Sequence, residues 1–308
     1  MSSPAAAISR RRASCAPISQ PTGSVPAPPP DRPTMDDLSR RYPLWLCDVW
    51  GVVHNGQRSF PAAVAALRRH RANGGHVVLV TNAPRLSGEV RKQLDRLGVD
   101  QAAYDAVVTS GEVTRHLVAR HAGKPIYHIG PPNDVSVMAG IDVVHGSIED
   151  ASVIVCVGLR DDRRDSLGDY EPLLDELRAR DLEMICANPD KVVRVGDRLI
   201  YCAGALAERY AKKGGRVSMA GKPYAPIFDL AVSEASRLAG RQFARRDILM
   251  IGDGPETDVK GAADYGIACL FITGGIMLGD DSADAAQAHA QGASPHARIV
   301  ASMPRLSW

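Results

Sequence analysis

The sequence predicts an α/β protein built on a parallel sheet. Short apolar runs alternate along the chain with longer amphipathic stretches. The runs are continuously apolar, as in strands covered on both faces, instead of alternating with polar residues. Polar residues of catalytic type stand directly after several runs, where open parallel sheets bind their ligands. With 308 residues, 45% of them hydrophobic, the chain has material for one large or two moderate cores.

In chain order, residues 1–34 come first, rich in Pro, Ser and Ala, with Arg10, Arg11 and Arg12 and no periodicity. Such a stretch cannot bury enough apolar surface to order itself. It reads as a disordered tail, with a true start at Met35 or an organelle-targeting segment as alternatives. Residues 44–49 form an apolar run that contains Asp48. A helix over 61–73 has Val64 and Leu67 on one side and arginines on the other, and Gly74-Gly75 stops it. A β-branched run follows at 76–80, then a helix with Ser87 as N-cap and Gly98 at its end. Residues 106–108 form another strand, with Ser110 as cap of the next helix. Strands are expected at 126–129, 141–144, 152–157 and 183–187, with a helix over 170–180. The last section repeats the first pattern: helix 224–238, strand 248–251, helix 256–265, strand 267–272.

Composition narrows the function. The formal net charge is +2 and aromatics make up 5%, with no basic patch among them, which speaks against nucleic acid as a partner. No apolar stretch reaches the length of a membrane helix, and the expected location is the cytoplasm. The six cysteines are scattered, without a metal-binding spacing, and read as buried thiols.

Four strand ends carry chemistry: Asp48 before Trp50-Gly51, Thr81-Asn82 after 77–80, Lys222 after Ala220-Gly221, and Asp253 with Asp258 in Gly-Asp-Gly-Pro-Glu-Thr-Asp. Singly, each is an ordinary turn or cap signal. The acidic pair around a Gly-rich turn suits a hard cation. The order of the four is the informative part.

This ordered set resembles the four motifs of the haloacid-dehalogenase superfamily, over about residues 42–275. The phrases Ala187-Asn188-Pro189-Asp190, Gly204-Ala205-Leu206, Gly221-Lys222-Pro223 and Thr257-Asp258-Val259-Lys260-Gly261-Ala262 are similar to its NagD-like subclass IIA. The resemblance implies a Rossmann-like core at 35–123 and 205–308, with an inserted α/β class II cap at 124–204. It implies a magnesium-dependent phosphomonoester hydrolase acting on a small phosphorylated metabolite through an aspartyl-phosphate. Asp48 would be nucleophile and metal ligand. Trp50, through its main-chain carbonyl, Asp253 and Asp258 would complete the magnesium site. Thr81 and Lys222 would hold the phosphoryl oxygens, with N–H groups around Gly51 and Asn82 as a cradle. Asn188 and Asp190 would select substrate from the cap, with a plain turn as the equal alternative. A homo-oligomer through the cap is left open.

One position departs from the pattern. The family's first motif carries a second Asp two residues after the nucleophile, as general acid and base, where this chain has Trp50. Loss of such a group costs about 10²–10⁴ in rate. The departure marks a divergent branch with an Asp-x-Trp first motif. His54 is a candidate surrogate acid, against the plainer reading of a polar loop residue. The rival function is a non-catalytic descendant that binds a phosphorylated metabolite. Dehalogenation ranks low, because the dehalogenases of this fold need no metal and Asp253 and Asp258 are both kept.

Overall fold

A computed structural model of the chain describes residues 33–132, 134–195, 198–275 and 290–308. The expected tail falls outside them except for Pro33 and Thr34. Thr34 caps α1 (Met35–Arg41), its hydroxyl accepting the Asp37 N–H while the Asp37 carboxylate accepts the Thr34 N–H.

The first sheet is six-stranded and parallel. It contains β1 (Leu44–Cys47), β2 (His76–Thr81), β3 (Ala106–Thr109), β11 (Ile248–Gly252), β12 (Ala268–Ile272) and β13 (Arg298–Met303), in the order β13-β12-β11-β1-β2-β3. The α/β prediction holds, and so does its reason. Leu44 and Leu46 enter one core with Ile227, Phe228 and Ala231 of α7 (Ala225–Ala239). Trp45 and Cys47 enter the other with Ala66 and Leu67 of α2 (Pro61–Ala72) and Leu94 of α3 (Ser87–Arg96). Strand side chains alternate in direction, so a run buried on both faces must be apolar throughout. Each Leu buried this way contributes about 1.5–3 kcal/mol.

A second parallel sheet has the order β10-β7-β6-β4-β5: β4 (Pro125–Ile129), β5 (Val144–His145), β6 (Val153–Cys156), β7 (Glu183–Cys186) and β10 (Arg216–Met219). One face packs on α5 (Glu171–Ala179) and α6 (Ala203–Lys212) through Leu174, Leu206 and Tyr210. The other meets Val118 of α4 (Ser110–Ala119) together with Val137 and Met138. An antiparallel pair, β8 (Val192–Val195) and β9 (Arg198–Tyr201), stands apart from both sheets. The helix α8 (Lys260–Tyr265) follows a π-turn, Pro255–Val259.

Several local expectations are corrected. The inserted region was expected to close at residue 204, but β10 pairs with β7, so the second sheet extends to Met219. The strand expected over 141–144 shrinks to the two exposed residues of β5. Leu86, not Ser87, occupies the N-cap of α3. Thr109 caps α4 in a reciprocal box with Glu112, which frees the Ser110 hydroxyl for another use. The helix expected from 256 is α-helical only from Lys260.

Candidate active site

The chain leaves β1 toward β2 and β3 on one side and returns through β11 toward β12 and β13 on the other. The crevice of the first sheet therefore lies between the carboxyl ends of β1 and β11, the adjacent strands at which the order reverses. Asp48 and Asp253 occupy those two ends. The Asp48 N–H donates to the Ile251 carbonyl at 2.8 Å, which extends the ladder and fixes where the side chain emerges. Asp258 comes from the π-turn after β11, a distortion frequent at functional sites. Its carboxylate accepts the Gly254 N–H at 2.9 Å. A Cβ on Gly252 would fall 2.2 Å from the Asp258 carboxyl carbon, so only glycine leaves that group room.

Lys222 joins these carboxylates. Its Nζ lies 2.5 Å from Asp48 Oδ1 and 2.7 Å from Asp258 Oδ1. All are buried: Lys222 is 2% exposed, Asp258 1%, Asp253 3% and Asp48 7%. Burial works against the ammonium, but Asp258 and Asp48 outweigh it and raise its pKa. Burial also pushes the Asp48 carboxyl up, to about 7, helped by Asp258 and opposed by Lys222. A neutral Asp48 is a poor nucleophile, so the arrangement calls for further positive charge. The donor set can supply a place for it. Carboxylate oxygens of Asp48, Asp253 and Asp258 lie within 4.8 Å of one another, and hard oxygen donors suit magnesium.

Thr81 ends β2 on the same rim. Its Oγ1 accepts the Ala83 N–H at 3.2 Å, which leaves the hydroxyl proton free to donate. The Asn82 side chain is fully engaged. Its Oδ1 accepts the Lys222 N–H at 2.8 Å, and its Nδ2 donates to the Lys222 carbonyl at 3.1 Å and to Asp190 Oδ1 at 2.9 Å. Asn82 thus fastens the Lys222 loop to the loop after β7. Burial raises the Asp190 pKa against this bond. Asn188 Oδ1 accepts the Asp190 N–H at 3.0 Å, which makes the expected turn, and both residues line the larger of the two cavities described below. The Ser110 hydroxyl, freed from capping, bonds the Ala187 carbonyl at 2.6 Å and also the Ala220 carbonyl, tying the ends of β7 and β10 together. Sequence reasoning missed that part; a hydroxyl directly after a Thr cap was its only signal.

Gly51 and His54 are tied to one another in the loop after β1. The Gly51 N–H donates to the His54 carbonyl at 2.8 Å and is not offered to a phosphoryl group. Gly51 has φ +90°, and a Cβ there would lie 2.1 Å from Asp253 Oδ2, so its contribution is space for Asp253. His54 is 2% exposed, its Nδ1 accepts the Gly56 N–H at 2.9 Å, and its ring meets Trp50 edge-on at 5.1 Å. Burial and then Arg85 pull its pKa down to about 4. It is absent from the walls of both cavities described next, which fits the polar loop residue better than the surrogate acid.

Two adjoining cavities share Trp50, Thr81, Asp190 and Val193. The smaller, about 40 Å³, surrounds Asp48, Lys222, Asp253 and Asp258. At roughly three times the 10–15 Å³ that one water needs, it fits a phosphoryl group and little more. The larger, about 280 Å³, opens toward the second sheet. Thr257 lines the smaller one and Arg85 the larger, neither given a role from sequence.

Comparison with known proteins finds relatives in sequence and in fold. The sequence matches the profile of haloacid dehalogenase-like hydrolases over residues 45–144 and a HAD-hydrolase-like profile over residues 219–296. A crystal structure of a hydrolase of the haloacid dehalogenase-like family from Brucella suis is 45% identical. It superposes with a TM-score of 0.80 over 90% of this chain and 99% of that one. D-glycerol 3-phosphate phosphatase of Mycobacterium tuberculosis is 25% identical over 258 residues, 79% of this chain and 66% of its own length. A crystal structure of that organism's glycerol phosphate phosphatase with magnesium shares the fold, with a TM-score of 0.66 at 23% identity, over 87% of this chain and 76% of that one. A fusion protein of Schizosaccharomyces pombe, cardiolipin synthase joined to a mitochondrial hydrolase, is 28% identical over 104 residues. That match covers 32% of this chain and 18% of the fusion protein.

Proposed function

The chain belongs to the haloacid dehalogenase-like hydrolase family, and from that premise we propose that it is a magnesium-dependent phosphomonoester hydrolase. It acts on a small phosphorylated metabolite through an aspartyl-phosphate. One observation carries the reading: Lys222 bridging Asp48 and Asp258 at 2.5 and 2.7 Å in a buried pocket of phosphoryl size.

Magnesium, held by Asp48, Asp253, Asp258 and the Trp50 carbonyl, would supply charge that brings carboxylate and phosphate together. The rest of the reaction belongs to the chain's own groups. Asp48 Oδ1 is held by Lys222, which leaves Oδ2 to attack phosphorus. The new P–O bond forms as the ester P–O bond breaks, and the alkoxide departs toward the larger cavity. Thr81 donates its free hydroxyl proton to a phosphoryl oxygen, and Lys222 neutralises the charge shared between Asp48 and phosphate. Water then attacks the aspartyl-phosphate and releases inorganic phosphate. Trp50 offers no proton at either stage, so the leaving group draws its proton from water. Asn82 and Ser110 act by holding the Lys222 loop.

The test is a panel of phosphorylated metabolites with acetyl and 4-nitrophenyl phosphate, each with and without magnesium. Magnesium-stimulated release of phosphate, with acid-stable labelling of the wild-type chain and none after Asp48→Asn, is expected. Tight binding of one metabolite with no turnover of any ester would instead favour the non-catalytic descendant, the reading that Trp50 keeps open.

A further inference from the structure

Both parallel sheets present the carboxyl ends of their strands to the same crevice. Thr81 ends β2, and Asp48, Lys222 and Asp253 follow β1, β10 and β11, while Asp134, Asp162 and Asp190 follow β4, β6 and β7. On the phosphatase reading, the smaller cavity has room for the phosphoryl group and little more. The ester's alcohol must therefore lie in the larger one.

The larger cavity has a definite chemistry. Its volume of about 280 Å³ is roughly twice that of an apolar cavity that accepts benzene, about 150 Å³. There is room for one ring and a short arm. Its lining includes Trp50, Tyr201, Val157 and Leu159. Polyols gain little from such walls, because hydroxyls moved against them lose water without an equal return. Among the described lining residues, three carboxylates, Asp134, Asp162 and Asp190, stand against one guanidinium, Arg85. Arg85 donates its Nη2 to the neutral Gln93 Oε1 at 2.7 Å and keeps its charge, which offsets one carboxylate, Asp134, and leaves the wall net negative. Carboxylates beside aromatic and apolar residues favour an organic cation and disfavour a second anion.

Resting on the phosphatase reading above, we infer that this cavity selects phosphomonoesters whose alcohol is a compact aromatic or apolar body carrying an amine. Esters bearing a second phosphate or a carboxylate are rejected.

Three aryl phosphates with phenols of similar acidity test this: tyramine O-phosphate, 4-ethylphenyl phosphate, and the phosphate of 3-(4-hydroxyphenyl)propionate. They differ mainly in the charge of the arm. The expected kcat/KM falls about tenfold from cation to neutral and about tenfold again to anion, as screened Coulomb interactions over a few ångström would give. Potassium chloride should compress the spread, since Asp134 and Asp162 are partly or fully solvent-exposed. Asp134→Asn with Asp162→Asn should bring the cation-to-anion ratio within about threefold, a readout internal to each preparation. The same order should appear in calorimetric binding of the three esters to the Asp48→Asn protein, where glycerol 3-phosphate should bind more weakly than tyramine O-phosphate. If no ester is hydrolysed, the phosphatase reading fails, and the binding order still decides this inference. Equal binding of the three esters, or preference for the anion, would overturn it.

Discussion

Asp48→Asn should abolish activity and, in metal-free buffer, make the protein more stable. The Asp48 carboxyl titrates at about 7 in the folded chain against an ordinary 3.8, because burial and Asp258 outweigh Lys222. The folded protein therefore holds this proton more tightly than the unfolded chain between those values, and wild-type stability falls as pH rises through that window. At about 1.4 kcal/mol per pH unit the loss has a ceiling of about 4 kcal/mol. Loss of the Asp48 charge also removes one of the two partners of Lys222, which keeps Asp258 at 2.7 Å, so the net gain at pH 8 falls below that ceiling. An asparagine keeps the shape and never carries the charge, so the variant avoids the loss. Below pH 4 both proteins hold a neutral side chain there, and the difference should vanish. Magnesium should reverse the order at pH 8, since a ligand stabilises the form that binds it and the variant lacks one donor. Urea unfolding at pH 8 and pH 4, with EDTA or magnesium, beside the phosphatase assay, measures all of this. A variant more than about 1 kcal/mol less stable than wild type in EDTA at pH 8 would refute the electrostatic argument. Turnover above about 1% in a folded variant would remove Asp48 as nucleophile, since loss of a nucleophile costs far more than that.

Three further outcomes are expected. Asp253→Ala should weaken magnesium binding by about tenfold or more and remove activity with it, because octahedral magnesium tolerates the loss of a carboxylate poorly; an unchanged calorimetric affinity would reduce Asp253 to a turn residue. Wild-type turnover should depend steeply on leaving-group pKa, and Trp50→Asp should recover part of the roughly 10²–10⁴ missing on alkyl phosphates; a flat dependence with chemistry rate-limiting would sink the assigned role of Trp50. His54 and His70, each buried and pulled down to about 4 chiefly by burial, stay neutral in the folded chain while the unfolded chain takes up protons below 6.5. Stability present above 6.5 should thus be lost as pH falls toward 4, by up to about 3 kcal/mol for each, and His70→Gln should flatten that loss in acid titrations followed by circular dichroism.

The amino-acid sequence by itself determined which segments become buried strands and which polar residues stand at their ends. Runs such as Leu44-Trp45-Leu46-Cys47 are apolar at every position, and that alone specifies a strand covered on both faces. Asp48, Asp253 and Asp258 were legible because they directly follow such a run or sit in the turn after it, Thr81 because it ends one, and Lys222 because it follows Ala220-Gly221 before a helix. Tertiary structure decided everything that depends on pairing across distance. Lys222 meets Asp48 across 174 residues and the Asn82 side chain across 140, and Asn82 meets Asp190 across 108. No local pattern encodes those distances. Membership of β10 in the second sheet rests on its bonds to β7, since an isolated run of Arg-Val-Ser-Met fits either sheet. The parts of His54 and Gly51 were decided in the same way. Their residue types suit acid catalysis and anion binding, but the loop folds back so that the His54 carbonyl takes the Gly51 N–H and the His54 ring takes the Gly56 N–H. A side chain's chemistry is written in its type, while the atoms left free to use it are fixed only once every hydrogen-bonding group in the neighbourhood has found its partner.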